Sequence, residues 1–125
     1  MRYNILVLLF FTILKVNAQT TWSADIAPIL FEHCTNCHRP DGIAPFSLLT
    51  YTQAKVKADI IEAAVLTGEM PPWPADENYT HFAGELVLTA EQKFKISQWV
   101  LNGLESGDTT LVETPVYNFG TSVLD

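Results

Sequence analysis

Apolar residues recur at helical spacing in three segments after residue 18, whereas alternation at strand spacing is weak throughout. The first segment runs from Asp25 to His33, and Pro28 lies near its first turn, where a helix tolerates proline. Positions i, i+3, i+4 and i+7 of this segment are occupied by Ile26, Ile29, Leu30 and His33. The spacing predicts a first helix over residues 25–33, which ends directly before Cys34.

The second helix is predicted from a start signal and a stop signal. Thr50 is followed three residues later by Gln53, a capping-box pattern in which each side chain bonds to a backbone N–H group of the other residue. Gly68 is suited to ending the helix. The apolar face predicted between these signals consists of Val56, Ile60, Ile61, Ala64 and Val65.

The third helix is predicted in the same way. Thr89 and Gln92 form a second capping-box pattern, and Gly103 is suited to ending the helix. Its predicted apolar face consists of Ile96, Trp99 and Val100. We therefore predict an all-α fold with about three main helices, separated by loops over 39–47 and 70–84.

The amino-terminal segment has the three parts of a secretory signal. Met1-Arg2 is basic, the run from Ile5 to Leu14 is apolar, and Val16-Asn17-Ala18 ends in a small residue. The apolar run is shorter than the ~20 residues of a membrane-spanning helix, which favours cleavage after Ala18 over a retained anchor. We expect an exported, periplasmic or other extracytoplasmic protein without a stable membrane span after cleavage.

The domain organisation follows from these boundaries. Residues 1–18 are predicted to be the signal peptide and residues 19–108 the folded domain, a length suited to one hydrophobic core. Residues 109–125 lack a clear period and contain Pro115 and Gly120. We interpret them as a tail, a linker or a truncated connection.

The chain is acidic. Fourteen Asp and Glu against seven Lys and Arg give a formal net charge of −7, and removal of residues 1–18 makes the charge more negative. This balance disfavours nucleic acid as a partner. The negative charge favours encounter with a basic protein partner. The alternative explanation is that the charge only improves solubility.

The strongest chemical motif is the pentapeptide Cys34-Thr35-Asn36-Cys37-His38, which contains the two cysteines of the chain. The two thiols lie about one turn apart and can add to the two vinyl groups of one porphyrin. The adjacent imidazole can ligate the iron. We interpret the pentapeptide as the attachment site of one covalent haem c.

Other sites built on two cysteines fit less well. An iron-sulfur cluster normally needs four thiolates. Structural zinc would have to combine Cys34 and Cys37 with two of His33, His38 and His81, and the adjacent residues Cys37 and His38 are awkward tetrahedral ligands. A thioredoxin-like dithiol would be expected between a strand and a helix. Zinc and dithiol sites therefore stay as alternatives.

Met70 is predicted to be the second axial ligand, because it is the methionine outside the predicted signal. It begins the segment Met70-Pro71-Pro72-Trp73-Pro74, in which the prolines fix φ and stiffen the loop. Thioether ligation favours Fe(II). The alternatives are a methionine that fills a core gap, His81 as the ligand, or an open iron position.

Two further groups could assist a haem. A carbonyl of the loop over 39–47 could accept the imidazole N–H of His38 and tune its basicity. The indole N–H of Trp73 could reach a haem propionate, or the ring could simply pack. The sequence does not distinguish these alternatives for Trp73.

Three segments of the chain resemble the class I-like cytochrome c family, in the branch that reads Cys-x-x-Cys-His-Arg-Pro, Ile-Ala-Pro-Phe and Met-Pro-Pro-Trp. They are Cys34–Pro40, Ile43–Phe46 and Met70–Trp73, and the similarity extends from about residue 22 to residue 108. The resemblance implies a cytochrome c-like fold around one haem with His38 and Met70 as axial ligands. Similar domains are often the haem modules of longer exported redox or copper monooxygenase-like proteins.

The expected function is one-electron transfer between redox partners, without turnover of a substrate. The partner would be a basic redox protein or a downstream domain. One alternative is the haem module of a larger oxidoreductase, and another is a peroxidase-like enzyme or sensor with an exchangeable sixth position. The chain has no His-rich copper site, so no oxygenase activity is expected.

Overall fold

A computed structural model describes residues 19–76 and 78–117, so the predicted signal 1–18 and residues 118–125 of the predicted tail lie outside the described residues. Within the two described ranges the chain is helical and has no β-strand, in agreement with the predicted all-α class. None of the helices in these ranges is long and apolar enough to span a bilayer. The helices are α1, with a π-helical turn Trp22–Ile26 followed by Ala27–His33, α2 (Tyr51–Val56), α3 (Ala58–Thr67) and α4 (Ala90–Leu101), and a 3-10 turn follows at Thr109–Leu111.

Helix α1 begins three residues earlier than predicted, because Thr21 caps it. The Thr21 hydroxyl accepts a hydrogen bond from the Ala24 N–H (3.3 Å), and the Asp25 carboxylate accepts one from the Thr21 N–H (3.0 Å). The Ile26 N–H donates to the Thr21 carbonyl five residues back (3.3 Å), which gives the first turn its wider π-helical pitch. This reciprocal cap uses aspartate at a longer spacing than the usual capping box, so the capping-box pattern did not predict it.

The second predicted helix is two helices, interrupted at Lys57. This residue has φ −110° and ψ 7°, and its N–H donates to the Ala54 carbonyl three residues back (3.1 Å). The break rotates the buried face, so Val56 and Ile60, which we predicted for the core, are 73% and 58% exposed. Ile61 and Val65 of the predicted face are buried as expected, and Ala54 and Ala58 are buried in addition.

The predicted start and stop signals of these helices are confirmed. Thr50 and Gln53 form a complete capping box before α2, and Thr89 and Gln92 form one before α4. Gly68 follows α3 with φ 76°, and Gly103 follows the end of α4 with φ 90°. Both have the left-handed backbone conformation, which glycine adopts without steric cost.

The core lies where α1, α3 and α4 pack together. Trp99 of α4 is fully buried, and its indole N–H donates to the Glu105 carbonyl (2.9 Å), so the large ring is buried without an unsatisfied donor. Other almost fully buried apolar side chains include Ile26, Leu30, Val65 and Ile96.

The chain beyond α4 folds back onto α1. The Trp22 N–H at the start of α1 donates to the Glu105 carbonyl (2.8 Å), and this contact satisfies a helix-start donor that has no partner within the helix. Further on, Tyr117 lies within hydrogen-bonding distance of the Thr35 hydroxyl. Residues 109–125 were predicted to be a tail or linker, and most of their described part is exposed, including Leu111 and Val116. Val112 packs against the core, so contacts with the domain continue at intervals as far as Tyr117.

Candidate functional site

A cavity of about 230 Å³ brings together the four residues that the sequence singled out, Cys34, Cys37, His38 and Met70. Its lining is predominantly apolar and comes from the turn after α1, from α3 and from the two long loops. The apolar wall includes Phe46, Leu48, Ile60, Ile61, Ala64 and Leu86. Residues far apart in the sequence thus surround one apolar space.

The turn after α1 presents the two thiols and the imidazole together. The Cys34 N–H donates to the Leu30 carbonyl (2.8 Å) and ends the helical hydrogen bonding. The N–H groups of Cys37 and His38 then both donate to the Cys34 carbonyl (3.1 and 2.9 Å). Both cysteines have free thiols. This tight turn explains why the two thiols and the His38 ring line the same cavity.

The Cys34 thiol is a weak acid in this environment. Burial raises the pKa of Cys34 to about 12, and the nearby Cys37 thiol adds to the rise. The Cys34 thiol is therefore protonated at neutral pH, whereas a reactive exchange cysteine needs a lowered pKa.

His38 is oriented by a backbone carbonyl. Its Nδ1 lies 3.1 Å from the Phe46 carbonyl oxygen, and because a carbonyl can only accept, Nδ1–H is the donor. This hydrogen bond assigns the neutral tautomer and leaves Nε2 with a lone pair suited to a metal ion. The Phe46 ring also contacts the imidazole, with ring centroids 4.6 Å apart. Phe46 therefore provides the carbonyl that the sequence could not identify.

The loop between His38 and Leu48 closes tightly over the turn. The Ala44 N–H donates to the Cys37 carbonyl (3.1 Å), and the Leu48 N–H donates to the His38 carbonyl (2.9 Å). A Cβ atom at Gly42 would lie only 2.2 Å from the Cys37 carbonyl oxygen. Glycine is therefore required at position 42 for the loop to approach the turn this closely.

Met70 reaches the cavity from the end of α3. Its N–H donates to the Ala64 carbonyl (3.1 Å), which draws the chain back toward the helix after Gly68. The side chain lines the cavity but is also 38% exposed. Pro71 and Pro72 follow it on the cavity wall.

The two remaining histidines differ in their relation to the cavity. His33 lines it, and its Nε2 accepts a hydrogen bond from the Gln92 amide (3.0 Å). The sequence suggested His33 only as a ligand of the alternative zinc site, although its position directly before Cys34 is a local signal of proximity. His81 has an 86% exposed side chain, pairs with Glu85 (3.0 Å) and is not among the residues that line the cavity. Across the described part of the chain, no three His, Cys, Asp or Glu side chains are grouped as a metal site.

Trp73 has an unsatisfied polar group next to the cavity. Its indole N–H is buried and has no hydrogen-bond partner among the described residues, while its ring packs edge-on against Phe82 (centroids 6.0 Å apart). Trp73 lines a second cavity of about 290 Å³, which shares Met70, Pro71 and Leu86 with the first. A buried unpaired N–H costs free energy. This donor is suited to an acceptor on a bound ligand.

No protein-family model, curated protein or solved structure matches this chain. Function is therefore inferred from the cavity and its residues.

Proposed function

We propose that this protein is an exported c-type cytochrome of the class I-like family that transfers single electrons between redox partners. One haem c would be attached at Cys34 and Cys37 and ligated by His38 and Met70. The observation that best supports the proposal is the common location of these four residues on one apolar cavity. The acidic charge of the chain favours a basic redox protein or a downstream domain as the partner.

The walls of the cavity fit a porphyrin. They are predominantly apolar, as expected for a site that buries a large planar ligand. The cavity volume is below the ~300 Å³ typical of ligand pockets, but the cavity is open on one side. Ile43 and Ile60 line it and are 91% and 58% exposed, so one edge of a planar ligand could remain outside.

The polar groups of the site fit the same ligand. Two free thiols on one turn suit attachment through two thioether bonds. His38 has its Nδ1–H bonded to Phe46, so Nε2 is the nitrogen available to iron. The unpaired indole N–H of Trp73 suits a propionate carboxylate.

Different residues of the chain would have different roles in electron transfer. When bound, the haem would supply an iron that changes between Fe(III) and Fe(II). The Phe46 carbonyl holds the His38 ring and increases its basicity as a ligand. With a haem bound, the Met70 thioether would favour the ferrous state and raise the reduction potential relative to a second histidine. The apolar wall limits access of water to the site.

The central experiment asks whether the thiols bear a haem. The full chain is expressed in a host with haem-attachment machinery, and the product is analysed by intact mass and by the pyridine haemochrome spectrum. We expect one haem per chain, attached through both cysteines. The variant Cys34→Ser/Cys37→Ser is the matched control and should contain no covalent haem. A colourless wild-type product with two free thiols would refute the proposal, and bound zinc in that product would favour the zinc alternative.

The partial exposure of Met70 favours one competing function, a haem enzyme or sensor with an exchangeable sixth position. Carbon monoxide binding to the reduced protein distinguishes the two functions. A carrier with Met70 firmly on the iron should resist carbon monoxide, whereas a sensor or peroxidase-like protein should bind it readily. Rapid and complete binding would replace the electron-carrier proposal with the alternative.

A further inference from the structure

The loop between Cys34 and Cys37 contains a buried hydroxyl. Thr35 is fully buried, and its hydroxyl donates to the Phe31 carbonyl (3.1 Å). The same oxygen lies within hydrogen-bonding distance of the Tyr117 hydroxyl. A threonine hydroxyl has one proton to donate, so Tyr117 is the donor in this second hydrogen bond. A residue near the carboxyl end of the described chain thus bonds directly to the turn that bears the thiols.

Tyr117 also contacts the residue that follows His38. The Arg39 guanidinium lies 4.4 Å from the centroid of the Tyr117 ring, a cation–π contact. The same guanidinium donates to the carbonyls of Asn36 and of Thr35 (3.4 Å to the latter). Tyr117 therefore holds two side chains of the turn, one by its hydroxyl and one by its ring.

These contacts are made outside the cavity. Cys34, Cys37 and His38 line the cavity, whereas Thr35, Arg39 and Tyr117 do not. The turn is thus held from one direction by the Phe46 carbonyl on His38 and from another by Tyr117. The Tyr117 contact could not be found from local sequence patterns, because Tyr117 is separated from Thr35 by 82 positions.

We propose that Tyr117 is a positioning residue for His38 and for the haem-attachment turn. The inference rests on the proposed function and deepens it. Tyr117 acts through Thr35 and Arg39, since it limits the conformations of the turn and keeps the Arg39 charge fixed against the turn that bears His38. A fixed cation near an iron disfavours the more positive Fe(III) state. Loss of Tyr117 should therefore lower the reduction potential and broaden the orientation of the axial imidazole.

The test compares variants of two tyrosines, Tyr117 and Tyr79, in the full-length holoprotein. Tyr117→Leu removes the hydroxyl and the ring, and Tyr117→Phe removes the hydroxyl alone. Tyr79→Leu and Tyr79→Phe are the matched controls, because Tyr79 is 87% exposed. The reduction potential is measured by spectroelectrochemistry, and the orientation of the axial ligand is followed by the g-values of the ferric electron paramagnetic resonance spectrum.

We expect Tyr117→Leu to lower the potential and to broaden or shift the g-values, and Tyr117→Phe to cause a smaller change in the same direction. Both Tyr79 variants should match the wild type. In a double-mutant cycle, Thr35→Val and Tyr117→Phe should be non-additive, because they remove the two ends of one hydrogen bond. If Tyr117→Leu does not fold, Tyr117→Phe and Thr35→Val still provide the comparison.

Two outcomes would overturn the inference. In one, the Tyr117 variants have the potential and g-values of the wild type. In the other, they lose only resistance to denaturant, which would make Tyr117 a stabilising residue and nothing more. Failure of the proposed function is a different result, because the wild type itself would then contain no haem and give no haem signal.

Discussion

The two loops that border the cavity are held in different ways. The loop from Cys34 to Leu48 is closed by hydrogen bonds within itself, among them those from the Leu48 N–H to the His38 carbonyl and from the His38 ring to Phe46. In the described part of the loop from Gly68 to Leu88, such internal bonds lie between residues 76 and 85, and Met70 is instead tied to α3 by the hydrogen bond from its N–H. The loop from Cys34 to Leu48, called the histidine loop below, is therefore stabilised by contacts that form on folding.

The loop from Gly68 to Leu88, called the methionine loop below, is stabilised instead by restriction of its backbone. Pro71, Pro72 and Pro74 have no N–H to donate, and their rings fix φ in the unfolded chain as well as in the folded one. This restriction reduces the entropy that the loop loses on folding. Changes in the histidine loop should thus remove folded-state contacts, whereas changes in the methionine loop should act mainly through conformational freedom. Three predictions test this difference, in order of decreasing expected effect.

The largest difference should appear between the two proposed axial ligands. His38→Ala should prevent a stable holoprotein, because His38 lies on the proposed attachment turn itself. Met70→Ala should still yield holoprotein, but with a lower reduction potential and with carbon monoxide binding that rises from near zero to essentially complete. Haem absorbance of the purified protein, redox titration and carbon monoxide titration measure these effects. If Met70→Ala has an unchanged potential, Met70 is not a ligand.

The second prediction compares one glycine from each loop. Gly42→Ala should destabilise the holoprotein by about 1–3 kcal/mol, because the new methyl group would overlap the Cys37 carbonyl. Gly84→Ala meets no neighbouring atom, but φ is 75° there, so we expect a cost of about 1–2 kcal/mol from the left-handed backbone alone. Urea denaturation gives both values.

Electron paramagnetic resonance spectra should distinguish the Gly42→Ala and Gly84→Ala variants more clearly than their free energies of unfolding do. Gly42→Ala displaces the turn that bears His38, so the ferric electron paramagnetic resonance spectrum and the potential should change. Gly84 lies in the methionine loop, far from Met70 in sequence. Gly84→Ala should therefore leave the electron paramagnetic resonance signal that reports on His38 ligation unchanged. Equal spectral changes in the two variants would contradict the idea that close backbone approach fixes the histidine loop.

The sequence predicted the features that depend on neighbouring residues. The capping boxes that begin at Thr50 and Thr89 and the end of α3 at Gly68 involve residues a few positions apart, so a local pattern specifies them. The association of Cys34, Cys37 and His38 is local for the same reason. Met70 was predicted from its chemistry and its resemblance to a family motif, and the structure brings it to the same cavity.

Features that depend on distant packing were missed. The break at Lys57 is favoured by burial of Ala54 and Ala58 on either side of it, and helical periodicity contains no signal for such a break. The Tyr117 contact with Thr35 joins distant parts of the chain, so no local pattern indicated that the described part of the predicted tail contacts the domain. Backbone acceptors such as the Phe46 carbonyl are not encoded by residue type, which is why the partner of His38 could not be named.

The smallest expected effects belong to the prolines of the methionine loop. Pro72 and Pro74 are both exposed, but Pro72 lines the cavity and Pro74 is not among its lining residues, so the two form a matched pair. Each change to alanine should lower stability by about 0.4–1 kcal/mol, since the unfolded chain gains conformational freedom. Pro72→Ala should in addition speed carbon monoxide binding to the ferrous protein, because a looser backbone next to Met70 would release the thioether more often. Stopped-flow mixing with carbon monoxide measures that rate, and Pro74→Ala should leave it closer to the wild-type value. If neither variant changes stability or the rate, restriction by proline does not hold the methionine loop, and packing of Trp73 against Phe82 becomes the better explanation for its order.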